Sequence, residues 1–169
     1  MIQRVKQFYM AITCKITDED KKFIEAYLNK NEQELFYKLS VSEQCHCVRV
    51  AKDIKNFIYN KTNDLKYNLS KEELIKVALL HDIGKTNCNL NVFEKSIMVL
   101  LNKFTKGKLK KLNNIKKVDV YYNHGIMGEN ILNKMQYSER FLYLVKNHHN
   151  NDIIGDMELD MIKKCDDRN

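Results

Sequence analysis

No proline interrupts the 169 residues of this chain, and only five of them are glycine. Proline removes a backbone donor, glycine adds conformational freedom, and tight hairpins lean on both. A chain nearly without them is poor material for a turn-rich sheet and permissive for long helices. The apolar residues agree, because they recur at helical spacing. Phe23, Ile24, Tyr27 and Leu28 follow Thr17-Asp18-Glu19-Asp20, a helix start with acidic residues in its first turn. Leu35, Phe36 and Leu39 mark a shorter segment from about Glu32, and Cys47, Val50, Ala51, Ile54, Phe57 and Ile58 form a long stripe. The fold class predicted is all-α: a single-domain helical bundle, since this length with 44% hydrophobic residues can bury one substantial core. Residues 1–39 are expected to form covering helices of that domain and residues 40–169 its core.

Helix boundaries can be read from capping chemistry. Ser40-Val41-Ser42-Glu43 and Ser70-Lys71-Glu72-Glu73 both place Ser three residues before Glu, the capping-box spacing. Behind the second, Leu74, Val77, Ala78 and Leu80 define the buried face of a helix closing on His81-Asp82, and Gly84 is expected to end it in the left-handed conformation. The polar stretch Asn60 to Asn68 reads as a loop. From Val92 to Phe104, the stripe Phe93, Ile97, Leu100, Leu101 and Phe104 is expected to pack in the interior. A further helix is expected from Asp119 to Met135, with Val120, His124, Met127, Ile131 and Met135 on one face. Ser138 should cap a helix from Glu139 to His149, and Asp156 the last helix, where Leu159, Ile162 and Asp166 share a face.

The formal charge of +7 fits a preference for anionic partners, and a Lys- and Asn-rich composition also gives such a charge without any partner. Its densest run, Lys106-Gly107-Lys108-Leu109-Lys110-Lys111 with Lys116-Lys117, has no interleaved aromatics. It reads as a solvated connector, and a nucleic-acid partner is not indicated. No apolar run approaches the roughly 20 residues that span a bilayer, and Met1 to Lys6 lacks the apolar region of a secretory signal. Five cysteines, an odd number without CxxC spacing, read as reduced thiols rather than a disulfide framework or thiolate zinc site. A cytoplasmic protein without a membrane partner is the expectation.

The histidines carry the functional signal. All five in the chain, His46, His81, His124, His148 and His149, fall at or beside the inward face of an expected helix, and Asp82 and Asp166 share that setting. Imidazoles and carboxylates facing a core are costly unless they bind one another or a cation. Bound to divalent cations they would help organise it. Mixed His and Asp donors suit Mn, Fe or Zn, as one ion or two. Lys85, directly after His81-Asp82-Ile83-Gly84, sets a fixed positive charge beside them, the chemistry of a metal site facing a phosphate.

His46 in a helix, His81-Asp82-Ile83-Gly84-Lys85, His124-Gly125-Ile126-Met127-Gly128-Glu129-Asn130-Ile131-Leu132, His148-His149 and Lys164-Cys165-Asp166-Asp167 occur in an order that resembles the HD-domain superfamily of metal-dependent phosphohydrolases, over roughly Ser40 to Asn169. The third and fourth of these stretches are similar to those of its two-metal HDIG and HD-GYP branches. The resemblance implies a first metal held by His46, His81, Asp82 and Asp166, or Asp167 in place of Asp166. It also implies a second metal held by His124, His148 and His149 with Asp82 bridging, and Lys85 facing the phosphate. Asp82 and Lys85 would be the catalytic pair, and the substrate a nucleotide-type phosphomonoester or phosphodiester hydrolysed through a metal-activated water. Asn150 stands where HD-GYP proteins commonly carry Glu, and no Gly-Tyr-Pro triplet follows. Two alternatives stand beside this reading, a di-iron oxygenase on the same fold and a non-catalytic nucleotide-sensing module.

Overall fold

The computed structural model describes residues 2–60 and 66–169, and helices account for all its regular structure, with no strand among the described residues. Among the described residues nine α-helices run in chain order: α1 (Ile2–Thr13), α2 (Asp18–Tyr27), α3 (Lys30–Phe36), α4 (Val41–Asn60), α5 (Lys71–Leu80), α6 (Val92–Phe104), α7 (Lys116–Leu132), α8 (Glu139–Asn147) and α9 (Met157–Arg168). Short 3-10 turns at Ile83–Asn87, Lys108–Leu112 and Asn133–Met135 link them. The all-α expectation holds. The loop expected from Asn60 to Asn68 lies largely outside the described residues.

Several helices start where their capping residues demand. Thr17 and Ser70 each accept the backbone N–H three residues on while Asp20 and Glu73 reach back to the cap nitrogen. Ser138 and Asp156 cap α8 and α9 through the N–H groups of Phe141 and Leu159. Each such contact satisfies an orphan donor and stabilises its helix by about 1 kcal/mol. The box expected at Ser40 does not form. The Ser40 hydroxyl lies 3.2 Å from that of Ser42, and the Glu43 N–H donates to the Ser40 carbonyl. The Glu43 side chain is instead buried and turned toward the basic groups described below.

Helices α4 and α5 pack side by side, with α8 and α9 against them. Val50, Ala51 and Ile54 of α4, Leu74 to Leu80 of α5, Phe141, Leu144 and Val145 of α8, and Leu159 and Ile162 of α9 share one buried cluster, which Ile24 and Phe36 join from α2 and α3. Two polar staples hold its edges. Glu32 takes the Lys76 ammonium at 2.9 Å and the Tyr137 hydroxyl. Buried Glu158 accepts the Asn68 and Leu69 backbone N–H groups and the Arg140 guanidinium, which also grips Asp156.

Two helical faces differ from expectation. On α7 the buried edge is Val120, His124, Gly125, Gly128 and Leu132, rotated from the expected line through Met127 and Ile131. Glycines without side chains let neighbouring backbones come close there, something a hydrophobicity pattern does not register. On α6 the whole expected core stripe, Phe93, Ile97, Leu100, Leu101 and Phe104, is exposed. Met98 is what α6 buries, in a small second cluster with Leu90, Leu109 and Val118. The lysines of the following connector are solvated as expected.

Candidate metal centre

The His81-Asp82 pair sits where α5 gives way to the 3-10 turn. Consecutive helical side chains diverge by about 100°, so both can face one point only where the helix stops. His81 retains helical angles, while Asp82 (φ −95°, ψ 8°) has left them, which swings its carboxylate beside the imidazole. Gly84 is not the left-handed terminator expected, since the glycines with positive φ are Gly107 and Gly155. Its role is proximity. A Cβ at Gly84 would stand 1.9 Å from the His124 carbonyl oxygen and 2.7 Å from the Gly128 nitrogen, so only glycine lets the turn lie against α7.

His46, His81, Asp82, His124, His148, His149 and Asp166 all lie in this one region, with half-exposed His149 approaching from the rim. His46 from α4, His81, and Asp166 from α9 bring one donor atom each to within 4.8 Å of one another. So do Asp82, His124 from α7, and His148 and His149 from the end of α8. Asp82 lies between the two groups. Its Oδ2 is 3.5 Å from His81 Nε2 and 3.7 Å from His46 Nε2, and its Oδ1 is 3.2 Å from His124 Nε2 and 3.6 Å from His148 Nε2. Asp166 Oδ1 approaches His46 at 2.8 Å and His81 at 3.6 Å, and its Oδ2 approaches His149 at 3.5 Å. Asp167, the other residue open as terminal ligand, is exposed and belongs to neither group.

The backbone sets the ring tautomers. A carbonyl can only accept, so His81 Nδ1–H donates to Ala78 O (2.7 Å), His148 Nδ1–H to Val145 O (2.6 Å), and His124 Nδ1–H to Val120 O and Tyr121 O (3.1 and 3.2 Å). Each bond runs back one helical turn, and each leaves Nε2 pointing inward, the arrangement that orients ligating histidines. In neutral rings those inward nitrogens are bare lone pairs. His124 Nε2 and His148 Nε2 face each other at 3.2 Å with a carboxylate oxygen alongside. Lone pairs converging on one another repel unless a cation lies among them. His81 Nε2 and Asp82 Oδ1 are moreover buried without a hydrogen-bond partner. This donor set fits divalent metal.

Electrostatics among the pocket's own side chains agree. Burial opposes the charged form of Asp82, but the Lys85 ammonium and His81 hold its carboxyl well below the usual range. Asp166 is lowered likewise, against burial, by His46 and His81. Burial also opposes charge on His81, yet Asp82 raises it well above an ordinary histidine. Burial keeps His124 neutral, lowering it to about 4, and half-exposed His149 is pushed the same way. Between pH 6.5 and 4 the unfolded chain therefore binds protons at these two histidines that the folded chain refuses. Stability present above pH 6.5 is lost as pH falls through that window, by roughly 3 kcal/mol for His124. His81, protonated in both states there, adds no slope, and the two aspartates act only lower. EDTA-treated protein should melt progressively lower from pH 6.5 to 4, and a flat midpoint would contradict the assignment.

Lys85 projects from the 3-10 turn with its Nζ 2.5 Å from Asp82 Oδ2 and 3.4 Å from Glu43. Three neighbours were not anticipated. Glu43, three residues before His46 and so on its face of α4, lies between Lys85 and Lys95 of α6. Its spacing from His46 could have revealed it, but the Ser40 pattern assigned it to a cap. Cys47 is fully buried, and its thiol, which burial pushes up, shares a volume with His81 and Asp82. Lys95 followed no motif.

An all-helical protein with an internal His and Asp cluster suited to divalent metal is what fold and site together define. The sequence profile of the HD domain family matches residues 44–166. This chain belongs to the HD domain family, whose members are generally metal-dependent hydrolases. Comparison with curated proteins and with solved structures gives no significant match. No helix among the described residues is long and apolar enough to cross a membrane.

Proposed function

We propose that the protein is a metal-dependent phosphohydrolase acting on a small phosphorylated substrate, a nucleotide phosphomonoester or phosphodiester, through water activated at the His and Asp cluster. The observation that carries this reading is the placement of Asp82, with one carboxylate oxygen toward each histidine group and a lysine ammonium on its flank. In this reading His46, His81, Asp82 and Asp166 would hold one ion and Asp82, His124, His148 and His149 a second, with Mn, Fe or Zn matching the donors. Bound divalent cations polarise phosphoryl oxygens and lower the pKa of water.

The chain's own groups do the rest. Lys85 stays cationic, because Asp82 raises it against the effect of burial, so a fixed positive charge stands ready for the oxygens on which negative charge develops. Glu43 steadies that ammonium from the other side. The Nδ1 bonds to backbone hold three imidazoles in position without reorganisation. Asn150, not a carboxylate, directly follows the histidine pair, and it bonds within its own turn, donating to the Asn147 side chain and accepting from the Asp152 N–H, in keeping with a substrate other than that of HD-GYP proteins. The free cysteines suit a cytoplasmic setting.

Protein loaded with Mn, Fe or Zn should release phosphate from members of a nucleotide panel, or cleave bis(p-nitrophenyl) phosphate. Lys85→Met should retain metal while losing roughly 10²- to 10³-fold in kcat. Iron-dependent oxygen consumption without phosphate release would overturn the reading in favour of an oxygenase, and nucleotide binding without turnover in favour of a sensor.

A further inference from the structure

On the α6 face, pattern and burial disagree along a whole stripe. Phe93, Ile97, Leu100 and Phe104 are 66%, 55%, 54% and 77% exposed. Helix α1, which packs beside α6 through an edge-to-face contact of Phe8 with Phe93, adds Val5 and Tyr9, each 64% exposed. Single exposed hydrophobics need no explanation, but a helix that turns its entire apolar stripe outward does. The α6 side chains that face inward are already engaged: Met98 fills the small core, Lys95 reaches Glu43, and Asn102 accepts the Tyr122 hydroxyl at 2.5 Å. The helix is therefore fixed in this orientation from within, and rotating it to bury the stripe would break those contacts.

The spacing of the stripe suits a helical partner. Positions 93, 97, 100 and 104 step by four, three and four, the a/d seam that packs against another helix. The seam also reads nearly the same in both directions: phenylalanine at each end, a branched aliphatic residue at each inner position. Antiparallel pairing of two such helices about a two-fold axis sets Phe93 opposite Phe104 and Ile97 opposite Leu100, a self-complementary surface of the kind a symmetric dimer requires. Area supports the same occupant. With ~200 Å² for a fully exposed aromatic side chain and somewhat less for an aliphatic one, the fractional exposures on α6 and α1 together offer roughly 700 Å². A standard interface takes about that from each partner.

We infer that α6 of one chain pairs antiparallel with α6 of a second copy, burying the Phe93, Ile97, Leu100 and Phe104 seam in a two-fold homodimer. The metal cluster lies on other elements and needs no residue from this face. Sedimentation equilibrium of the intact protein at micromolar concentration should give twice the chain mass. Ile97→Glu and Leu100→Lys, each at a half-exposed position, should each give monomers with unchanged helical circular dichroism and metal content. Mixed one to one, they should recover dimers, since the pairing sets the new glutamate against the new lysine. Wild-type monomer at 100 µM would overturn the inference and assign the face to another protein or chain segment. Dimers that survive both substitutions would overturn it by placing the interface elsewhere. Failure of the mixture to associate would overturn the antiparallel pairing.

Discussion

Asp82→Asn is expected to abolish metal retention and to lower turnover by more than about a thousandfold, the scale on which losing a group that organises an active site is felt. Asparagine keeps the volume and removes the charge. The two oxygens of Asp82 face separate histidine groups, so the substitution weakens both at once, whereas a change at His46 or His148 touches one. The surrounding core does not depend on that charge, since Leu79, Leu80 and Ile83 are packed by apolar neighbours. Helical circular dichroism should therefore be retained, which separates loss of the site from loss of the fold. Elemental analysis after dialysis against Mn, Fe or Zn gives the first readout, and phosphate release from the nucleotide panel the second. Asp82→Asn protein with normal metal content and full activity would overturn the bridging role proposed for Asp82 and the proposed mechanism with it.

Much of this candidate site is legible in the sequence for a simple reason. A helix presents one face inward, so a histidine or aspartate in register with leucines is placed by its neighbours: Leu144 and Val145 bring in His148, and Leu159 and Ile162 bring in Asp166. Capping chemistry fixed the starts of α2, α5, α8 and α9 for the same local reason, a side-chain oxygen three residues from an orphan N–H. What could not be read were contacts set by tertiary distance. Periodicity says that α6 has an apolar face but not what lies against it. Glu43 carries the right spacing for a cap and is drawn off by two lysines that only the fold brings near. Cys47 was one thiol among five until α4 and α5 came together around it. On α7 the seam follows Gly125 and Gly128, residues that contribute nothing to a hydrophobic stripe because their function is to be small.

Gly84 belongs to that last class, and Gly84→Ala is the second large effect expected. The obstructing atoms are backbone, the carbonyl of His124 and the amide of Gly128, so no side chain can rotate away to make room. Relief requires the 3-10 turn to move off α7, its most extensive partner, and a methyl forced into so close a contact should cost about 3 kcal/mol or more. For a chain of this size the thermal midpoint should fall by roughly 6–12 °C. Gly107→Ala is the control, because its φ of 81° brings strain, yet nothing lies within 4 Å of an added Cβ. Its cost should stay near 1–2 kcal/mol. The two variants also differ in reach. Displacing α7 carries His124 away from Asp82 and should lower metal retention, whereas a change in the lysine-rich connector should leave it intact. A Gly84→Ala protein that melts with the wild type would mean that the turn and α7 are not in contact, and the approach of His124 to Asp82 would lose its structural basis.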